Sequence, residues 1–196
     1  MVATTTAKST TAANHKAPRL LEFYRKELGP ALGKQLQRTN LLAVPRLTKI
    51  VLNIGCGEAA HDAKLLEALQ KDLGFISGQR PLITRAKKAV SNFKIKEHDP
   101  VGLKVTLRRA RMYEFLDRLV HAALPRIRDF RGLSPHGFDS LGNYSFGIKE
   151  HTVFPEINPD QSPYPTGLDI TVVTTAATRE EAFALLKGFG FPFAEK

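Results

Sequence analysis

Cationic and hydroxyl side chains alternate with apolar residues near the middle of the chain. From Val101 to Arg108 the alternation puts Lys104, Thr106 and Arg108 on one face of a predicted strand and the apolar residues on the other. Asn53 takes the same outward position in a second predicted strand, 47–54. Such groups on an open sheet face can contact RNA phosphates and sugar hydroxyls. An ordinary solvated face is the alternative, because antiparallel sheets often have one.

The positive charge of the chain is concentrated around this stretch. Residues 80–131 hold 14 Lys+Arg against 5 Asp+Glu, whereas residues 132–196 hold 4 against 8. Between Leu73 and Lys96 there is no acidic residue. Folding does not require such an imbalance, because like charges oppose compaction, but a polyanionic partner would explain it.

The segment 78–96, GQRPLITRAKKAVSNFKIK, interleaves cations with Gly, Pro, Ser and Asn. A cationic arm of this composition can follow a phosphate backbone, and a solvated loop is the alternative. Phe93, beside Lys94, could stack on a base, although a core position is the more common place for a phenylalanine.

Two short patterns could belong to an enzyme. Residues 55–60, GCGEAA, match the dinucleotide fingerprint between a predicted strand and helix, and they would require a parallel sheet. Against this, Glu58 puts a carboxylate where a pyrophosphate would lie, and the acid expected about 20 residues later is missing. Cys56, His61 and Asp62 include the types of a catalytic nucleophile, base and carboxylate, but a small buried cysteine is the ordinary interpretation.

Composition limits the remaining classes. The 196 residues are 42% apolar, which suffices for one folded domain, and we assign it to 19–196. Residues 1–18 lack acids and are rich in Thr, Ala and Ser, which predicts a disordered tail or, as the alternative, an organelle transit peptide. The six histidines lack metal-ligand spacing, and no apolar run is long enough for a membrane span. We therefore expect no metal, no cofactor and no membrane.

Periodicity predicts the elements that position these groups. A helix over 19–38 should be kinked or split at Gly29-Pro30, and a second should begin at Asp62 and stop near Gly74. Thr178 and Glu181 form a capping box for a last helix. Together with the predicted strands, this order favours an α+β fold with a largely antiparallel sheet, helices packed on one face and the other face open to RNA.

Longer motifs resemble a known family. The stretch PRIRDFRGL places Arg126, Arg128 and Arg131 around Phe130, where they could grip phosphate or a protein carboxylate, or pair with Asp129. This stretch resembles the fifth protein of the large ribosomal subunit, of bacterial or organellar type. Six other motifs carry the same resemblance: VTLRRARMYEFLDRL, LDITVVTTA, VPRLTKIVLNIGCGEA, SGQRPLITRAKKAVSNFKIK, GNYSFGIKE and the terminal GFPF. The resemblance runs from about Leu20 to Phe193.

The resemblance implies a non-enzymatic protein that binds 5S rRNA in the central protuberance, beside other proteins of that region, in a cytoplasmic or organellar ribosome. It also implies contacts with P-site tRNA and, through an intersubunit bridge, with small-subunit head protein thirteen. The residues implied are, for rRNA, Asn53, Gln79, Lys104, Thr106 and Arg108; for tRNA, Arg80, Arg85, Lys87, Lys88 and Asn92; and for the bridge, Arg128, Arg131, Ser134, His136 and Asn143.

Three positions depart from the family pattern. Arg109 stands where the family usually has glycine, Ser140 stands where glycine is common, and Thr166 replaces the usual arginine before Gly167. The first change adds positive charge next to Arg108. The second affects the expected geometry of the bridge loop, which the resemblance places at residues 131–143.

Overall fold

The chain folds around one five-stranded sheet. The computed structural model describes residues 17–38, 40–57, 63–158, 162 and 165–194. The strands are β1 (Leu47–Gly55), β2 (Leu82–Arg85), β3 (Pro100–Leu107), β4 (Tyr144–Ile148) and β5 (Leu168–Thr174). The α-helices are α1 (Arg19–Phe23), α2 (Gly29–Gln35), α3 (Ala63–Ser77), α4 (Arg109–Arg118) and α5 (Arg179–Gly188).

The sheet has the strand order β2-β3-β1-β5-β4, and every neighbouring pair is antiparallel. The predicted α+β class is therefore confirmed. The same pairing contradicts the nucleotide-binding alternative, because the dinucleotide motif needs a parallel sheet and a crevice at the carboxyl ends of its strands. Its first glycine, Gly55, lies inside β1 and pairs with Gly102 of β3.

The hydrophobic core lies between one face of the sheet and the helices. Ile50, Leu52 and Ile54 of the central strand are fully buried, as the alternation of the sequence predicts. They are joined by apolar residues from the other strands and from α3, α4 and α5. Burial of this face leaves the alternate residues of each strand on the opposite side, which carries three of the predicted rRNA residues, Asn53, Lys104 and Thr106.

The first helical stretch is not split at Gly29-Pro30. A π-helical turn, Tyr24–Leu28, joins α1 to α2, and the amide of Gly29 donates to the carbonyl of Tyr24. Pro30 has no amide hydrogen, so it cannot complete the regular ladder at this point. The wider π turn makes the adjustment that the sequence predicts as a break.

The prediction that α3 stops near Gly74 is wrong. The helix continues to Ser77, and Gly78 follows it with a φ of 64°. A residue in this left-handed conformation commonly ends a helix, and glycine adopts it without a Cβ clash. Gly74 lies within the helix, and a Cβ there would meet Pro81 at an ordinary contact distance, so the glycine neither ends the helix nor is required by packing.

Several other expectations concern the ends of elements. The amide of Glu181 donates to Thr178 Oγ1, which confirms this half of the predicted capping box of α5. Cys56 is buried, in agreement with its interpretation as a small apolar residue. His61, the predicted cap Asp62 and residues 1–16 of the predicted tail lie outside the described residues.

Candidate nucleic-acid interface

Antiparallel pairing sets the outward residues of neighbouring strands in rows across the sheet. Asn53 of the central strand is paired with Lys104 on one side and with Asp169 on the other. The row continues to Leu82 of β2 and to Gly147 of β4 at the two edges. Lys104, Asp169 and Leu82 are exposed and Asn53 is partly exposed, so this row lies on the surface opposite the core.

A second row lies next to the first. Thr106, Val51 and Thr171 are paired across the three middle strands, and Ser145 of β4 extends the row to the edge. The hydroxyl oxygens of Ser145 and Thr171 are 3.1 Å apart, so one donates to the other. The two rows carry donors and acceptors at the spacing of the strands, about 4.8 Å.

This surface is less uniform than a face of cations and hydroxyls. Val51 and Val173 also point outward and are partly exposed. Asp169 brings an acidic group into the first row, where its Oδ2 accepts a hydrogen bond from Asn53 Nδ2 at 3.4 Å. The alternation of the sequence already puts these side chains on the outer side, but only the strand order shows which of them are neighbours.

Gln79 and Arg108 frame the surface at β3. Gln79 Nε2 donates to the carbonyl of Thr106 at 3.1 Å, and Gln79 Oε1 accepts from Arg111 Nη1 at 3.4 Å. The side-chain amide of Gln79 therefore contacts the part of β3 that extends past the residues paired with β2. Arg108 follows the last residue of β3, precedes α4 and is exposed, and no side-chain hydrogen bond caps the helix there. Four of the five predicted rRNA residues thus cluster around β3, and the fifth, Asn53, pairs with it.

The predicted tRNA residues lie just before β2, at its last residue and on the turn that follows it. Arg85 ends β2 and donates from Nη1 to the carbonyl of His98 at 2.9 Å. A bridge between Val90 and Ile95 closes a short turn. The exposed predicted residues here are Arg80, Arg85, Lys87, Lys88 and Asn92. Phe93 is 72% exposed on this turn, so the core position that is more common for phenylalanine is contradicted.

The predicted bridge residues lie in the loop before β4, and an Asp139 hydrogen-bond network organises this loop. Asp139 accepts from the amides of Leu141 and Asn143 and from Asn143 Nδ2, with distances of 2.7–3.0 Å. Partial desolvation opposes ionisation of Asp139, but these hydrogen bonds outweigh it and lower its pKa from the ordinary value. Asn143 Oδ1 also accepts from the amide of Thr174, so Asn143 supports the loop from within.

The other bridge candidates lie on the outside of the same loop or just before it. Ser134 accepts from the amide of His136 through Oγ and from the hydroxyl of Tyr144 through its carbonyl. His136 and Arg131 are exposed, and Arg128 is almost completely exposed. The Arg128–Asp129 pair is 4.0 Å apart between exposed side chains, which makes it a weak ion pair.

One exposed residue of the bridge loop was missed from the sequence. Leu141 is 71% exposed at the turn held by Asp139. Its signal in the sequence is a lone apolar residue inside a Gly- and Asp-rich turn, which periodicity does not detect. The loop therefore presents an apolar contact point together with its cationic and polar groups.

The strand directions separate the arm from the bridge loop. The turn of the arm, residues 86–96, follows the carboxyl end of β2, and the bridge loop precedes the amino end of β4, at the other edge of the sheet. Since β2 and β4 run in the same direction, these two features lie at diagonally opposite corners, and four strand spacings of about 4.8 Å put the edges about 19 Å apart.

Comparison with known families agrees with these features. The family model described as "Ribosomal protein L5" matches residues 40–96, and the model described as the C-terminus of the same ribosomal protein family matches residues 100–193. The chain belongs to the ribosomal protein L5 family. The two matches cover the sheet, helices α3, α4 and α5, the arm and the bridge loop.

Individual relatives support the same assignment along nearly their whole length. "Large ribosomal subunit protein uL5" of Caldanaerobacter subterraneus subsp. tengcongensis is 56% identical over 177 residues, which are 90% of this chain and 99% of that protein. The protein of the same name from Synechococcus sp. (strain JA-2-3B'a(2-13)) is 58% identical over 90% of the chain and 98% of its own length. The protein of the same name from Thermobifida fusca is 55% identical over 91% of this chain and 93% of its own length.

Membership of the L5 family establishes the general role. The chain is a structural protein of the large ribosomal subunit, hence part of a ribonucleoprotein, and it is not an enzyme. The relatives named above are bacterial, and bacterial ribosomes are cytoplasmic. Among the described residues, no helix has both the length and the apolar character of a membrane span, and no group of His, Cys, Asp and Glu could hold a metal ion.

Proposed function

We propose that the outer face of the sheet binds 5S rRNA and thereby helps to attach it in the central protuberance of the large subunit. The observation that carries the proposal is the row through Lys104, Asn53 and Asp169, which lies on the sheet face opposite the helices. Lys104 supplies a charge for phosphate, and the amide of Asn53 supplies both donors and acceptors. Arg108 adds a guanidinium at the end of β3.

The geometry of the face suits a folded RNA. Side chains on adjacent strands are about 4.8 Å apart. The sheet that carries them is rigid, because its opposite face packs against the hydrophobic core. Thr106 and Thr171 can hydrogen bond with ribose 2′-hydroxyls, and the partly exposed Val51 offers an apolar patch to a sugar or base. Gln79 is already oriented by Thr106, so it loses little freedom when it contacts RNA.

We propose that the basic arm after β2 contacts P-site tRNA. Its exposed cations can approach phosphates without a sequence requirement, and Phe93 can stack on an unpaired nucleotide. The bridge between Val90 and Ile95 restrains the turn that carries Phe93. This restraint supports a defined contact, in which less conformational entropy is lost on binding.

We propose that the bridge loop reaches small-subunit head protein thirteen. The Asp139 network orders the loop, and the exposed His136 and Leu141 give it a mixed polar and apolar surface. Arg128 and Arg131 stand beside the loop, and a carboxylate of a partner could pair with either guanidinium. The separation of the loop from the arm allows the two contacts to be made at the same time.

The 5S rRNA assignment can be tested by binding of the full chain to 5S rRNA and to an unrelated folded RNA of equal length. We expect tighter binding to 5S rRNA, with a steep loss of affinity as salt increases. Arg108→Ala should cost about 1–3 kcal/mol, because it removes a charged hydrogen bond from the interface.

Lys34→Ala is the matched control, since Lys34 is an exposed cation on α2, away from the sheet face. Equal affinity for the two RNAs would contradict the assignment. Equal affinity of the Arg108 and Lys34 variants for 5S rRNA would show that the wrong surface has been chosen.

A further inference from the structure

A cleft lies at the end of the sheet where β1 begins and β3 ends. α1, the π turn and α4 form its helical side, and the start of β1 forms its other side. Arg25, Arg46 and Arg109 line it, together with Tyr24 and Tyr113. None of the residues that line the cleft is acidic, so its electrostatic potential favours an anion.

The three arginines of the cleft differ from those that stabilise the fold. Within the described part of the chain, the latter arginines are paired with carboxylates: Arg19 with Asp117, Arg38 with Glu181 and Arg118 with Glu156. The guanidinium groups of Arg25, Arg46 and Arg109 take part in no ion pair and no hydrogen bond between described residues. Their guanidinium groups are exposed and remain available to a ligand.

Arg109 reaches this cleft from an unfavourable backbone conformation. Its φ is 53°, in the left-handed region that glycine adopts easily and that few other residues occupy. Such backbone strain is commonly found at functional sites, where the rest of the fold maintains it. The position suits the glycine that the family usually has there, and the arginine that replaces it adds an exposed guanidinium to the lining of the cleft.

Tyr113 provides a neutral hydrogen-bond donor among the cations of the cleft. The residue is only 6% exposed, yet its hydroxyl forms no hydrogen bond within the described residues, whereas the hydroxyl of Tyr24 donates to the carbonyl of Pro45. Burial raises the pKa of Tyr113, Tyr24 raises it further, and Arg25 and Arg46 lower it, so the hydroxyl lies within electrostatic range of both arginines. The hydroxyl oxygen is not itself enclosed by protein, so it can donate its hydrogen to an anion in the cleft.

We infer that this cleft binds a phosphate group of an RNA backbone, at a site separate from the rows of the sheet face. Guanidinium groups bind phosphate oxygens through paired N–H donors, and the neutral Tyr113 hydroxyl adds a directional donor. RNA is the favoured source because the chain is a ribosomal protein and because the cleft adjoins the sheet face: Arg109 follows Arg108 in the chain. An RNA that crosses the sheet can therefore continue around the end of β3.

The test is the salt dependence of 5S rRNA binding by the full chain and three variants. Arg25→Gln with Arg46→Gln removes two charges, and Lys34→Gln with Lys187→Gln removes the same number from exposed positions on α2 and α5 as the control. We expect the first pair to weaken binding about tenfold and to reduce the salt slope by about 0.7–0.9 for each lost phosphate contact. The control should change affinity less than twofold.

Tyr113→Phe separates the hydrogen bond from the charge. It should weaken binding by about two- to tenfold at every salt concentration and leave the slope unchanged, because no charge is removed. Its melting temperature should stay within about 1 °C of that of the unmodified chain, since the hydroxyl has no partner among the described residues to lose.

The inference is overturned if the Arg25/Arg46 pair and the control pair behave alike with RNA. Poly-glutamate serves as a second probe: loss of its binding in the Arg25/Arg46 variant without loss of RNA binding would assign the cleft to an acidic protein and also refute the inference. If the unmodified chain does not prefer 5S rRNA to an unrelated RNA, the proposed function fails, but the slope difference between the variants still decides whether the cleft binds phosphate.

Discussion

Asp169 is the acidic group in the rows of the proposed RNA surface, and its removal should tighten binding. In Asp169→Asn the side chain keeps an oxygen that can accept from Asn53, so the orientation of Asn53 is retained. The change removes one negative charge from the neighbourhood of the RNA backbone. The expected direction is opposite to that of most interface substitutions.

The magnitude follows from the distance between Asp169 and the nearest phosphate. Asn53 Nδ2 lies 3.4 Å from Asp169 Oδ2. If Asn53 also donates to a phosphate at about 2.9 Å, the two negative charges are at most about 6 Å apart. Coulomb repulsion at this separation is about 0.7 kcal/mol at an effective dielectric of 80 and about 2.8 kcal/mol at 20.

The lower figure applies, because Asp169 is exposed and salt at 0.15 M has a Debye length of about 8 Å. We therefore expect affinity for 5S rRNA to rise about threefold, measured by filter binding or fluorescence anisotropy at fixed salt. Asp129→Asn is the control, since Asp129 is exposed outside the sheet. Weaker binding of Asp169→Asn would refute the repulsion argument and would mean that the carboxylate accepts hydrogen bonds from RNA.

Two further predictions concern the arm and the bridge loop. Phe93→Ala should weaken tRNA binding to the P site of reconstituted ribosomes by about 1–3 kcal/mol if the ring stacks on a base, whereas Phe75→Ala, at a ring that is also exposed but lies outside the arm, should have no effect. Burial raises the pKa of Tyr144 to about 12, so the stability that this group contributes is present below pH 10 and is lost as the pH rises through 12. Tyr144→Phe removes the 2.8 Å hydrogen bond to the carbonyl of Ser134, should cost about 1 kcal/mol at neutral pH, and should flatten the alkaline part of the curve in denaturant titrations.

Alternation in the sequence predicted which side chains share a face, because residues two apart in a strand point the same way. Lys104 and Thr106 were assigned correctly to the outer face on this basis. The partners of each strand were not predictable in this way, because pairing depends on contacts between segments far apart in the chain. The adjacency of Asn53 and Asp169 therefore became visible only with the strand order.

Local signals also failed where tertiary packing decided the outcome. Gly74 is a residue that often ends a helix, but tertiary packing keeps α3 helical as far as Ser77, and Gly78 follows it. Phe93 has the type of a core residue, but the short turn that carries it faces solvent. The cleft that Arg109 and Tyr113 share with Arg25 and Arg46 had no sequence signal, because it is formed by segments that are far apart in the chain.

The central position of β1 has a consequence for biosynthesis. Leu47 begins this strand, but its neighbour β5 begins at Leu168, 121 residues later (168 less 47). At translation rates of about 5–20 residues per second, the central strand waits roughly 6–24 s for its second neighbour to leave the ribosome. During this time one edge of a strongly apolar strand has no native partner, so the nascent chain needs protection from aggregation until its synthesis is almost finished.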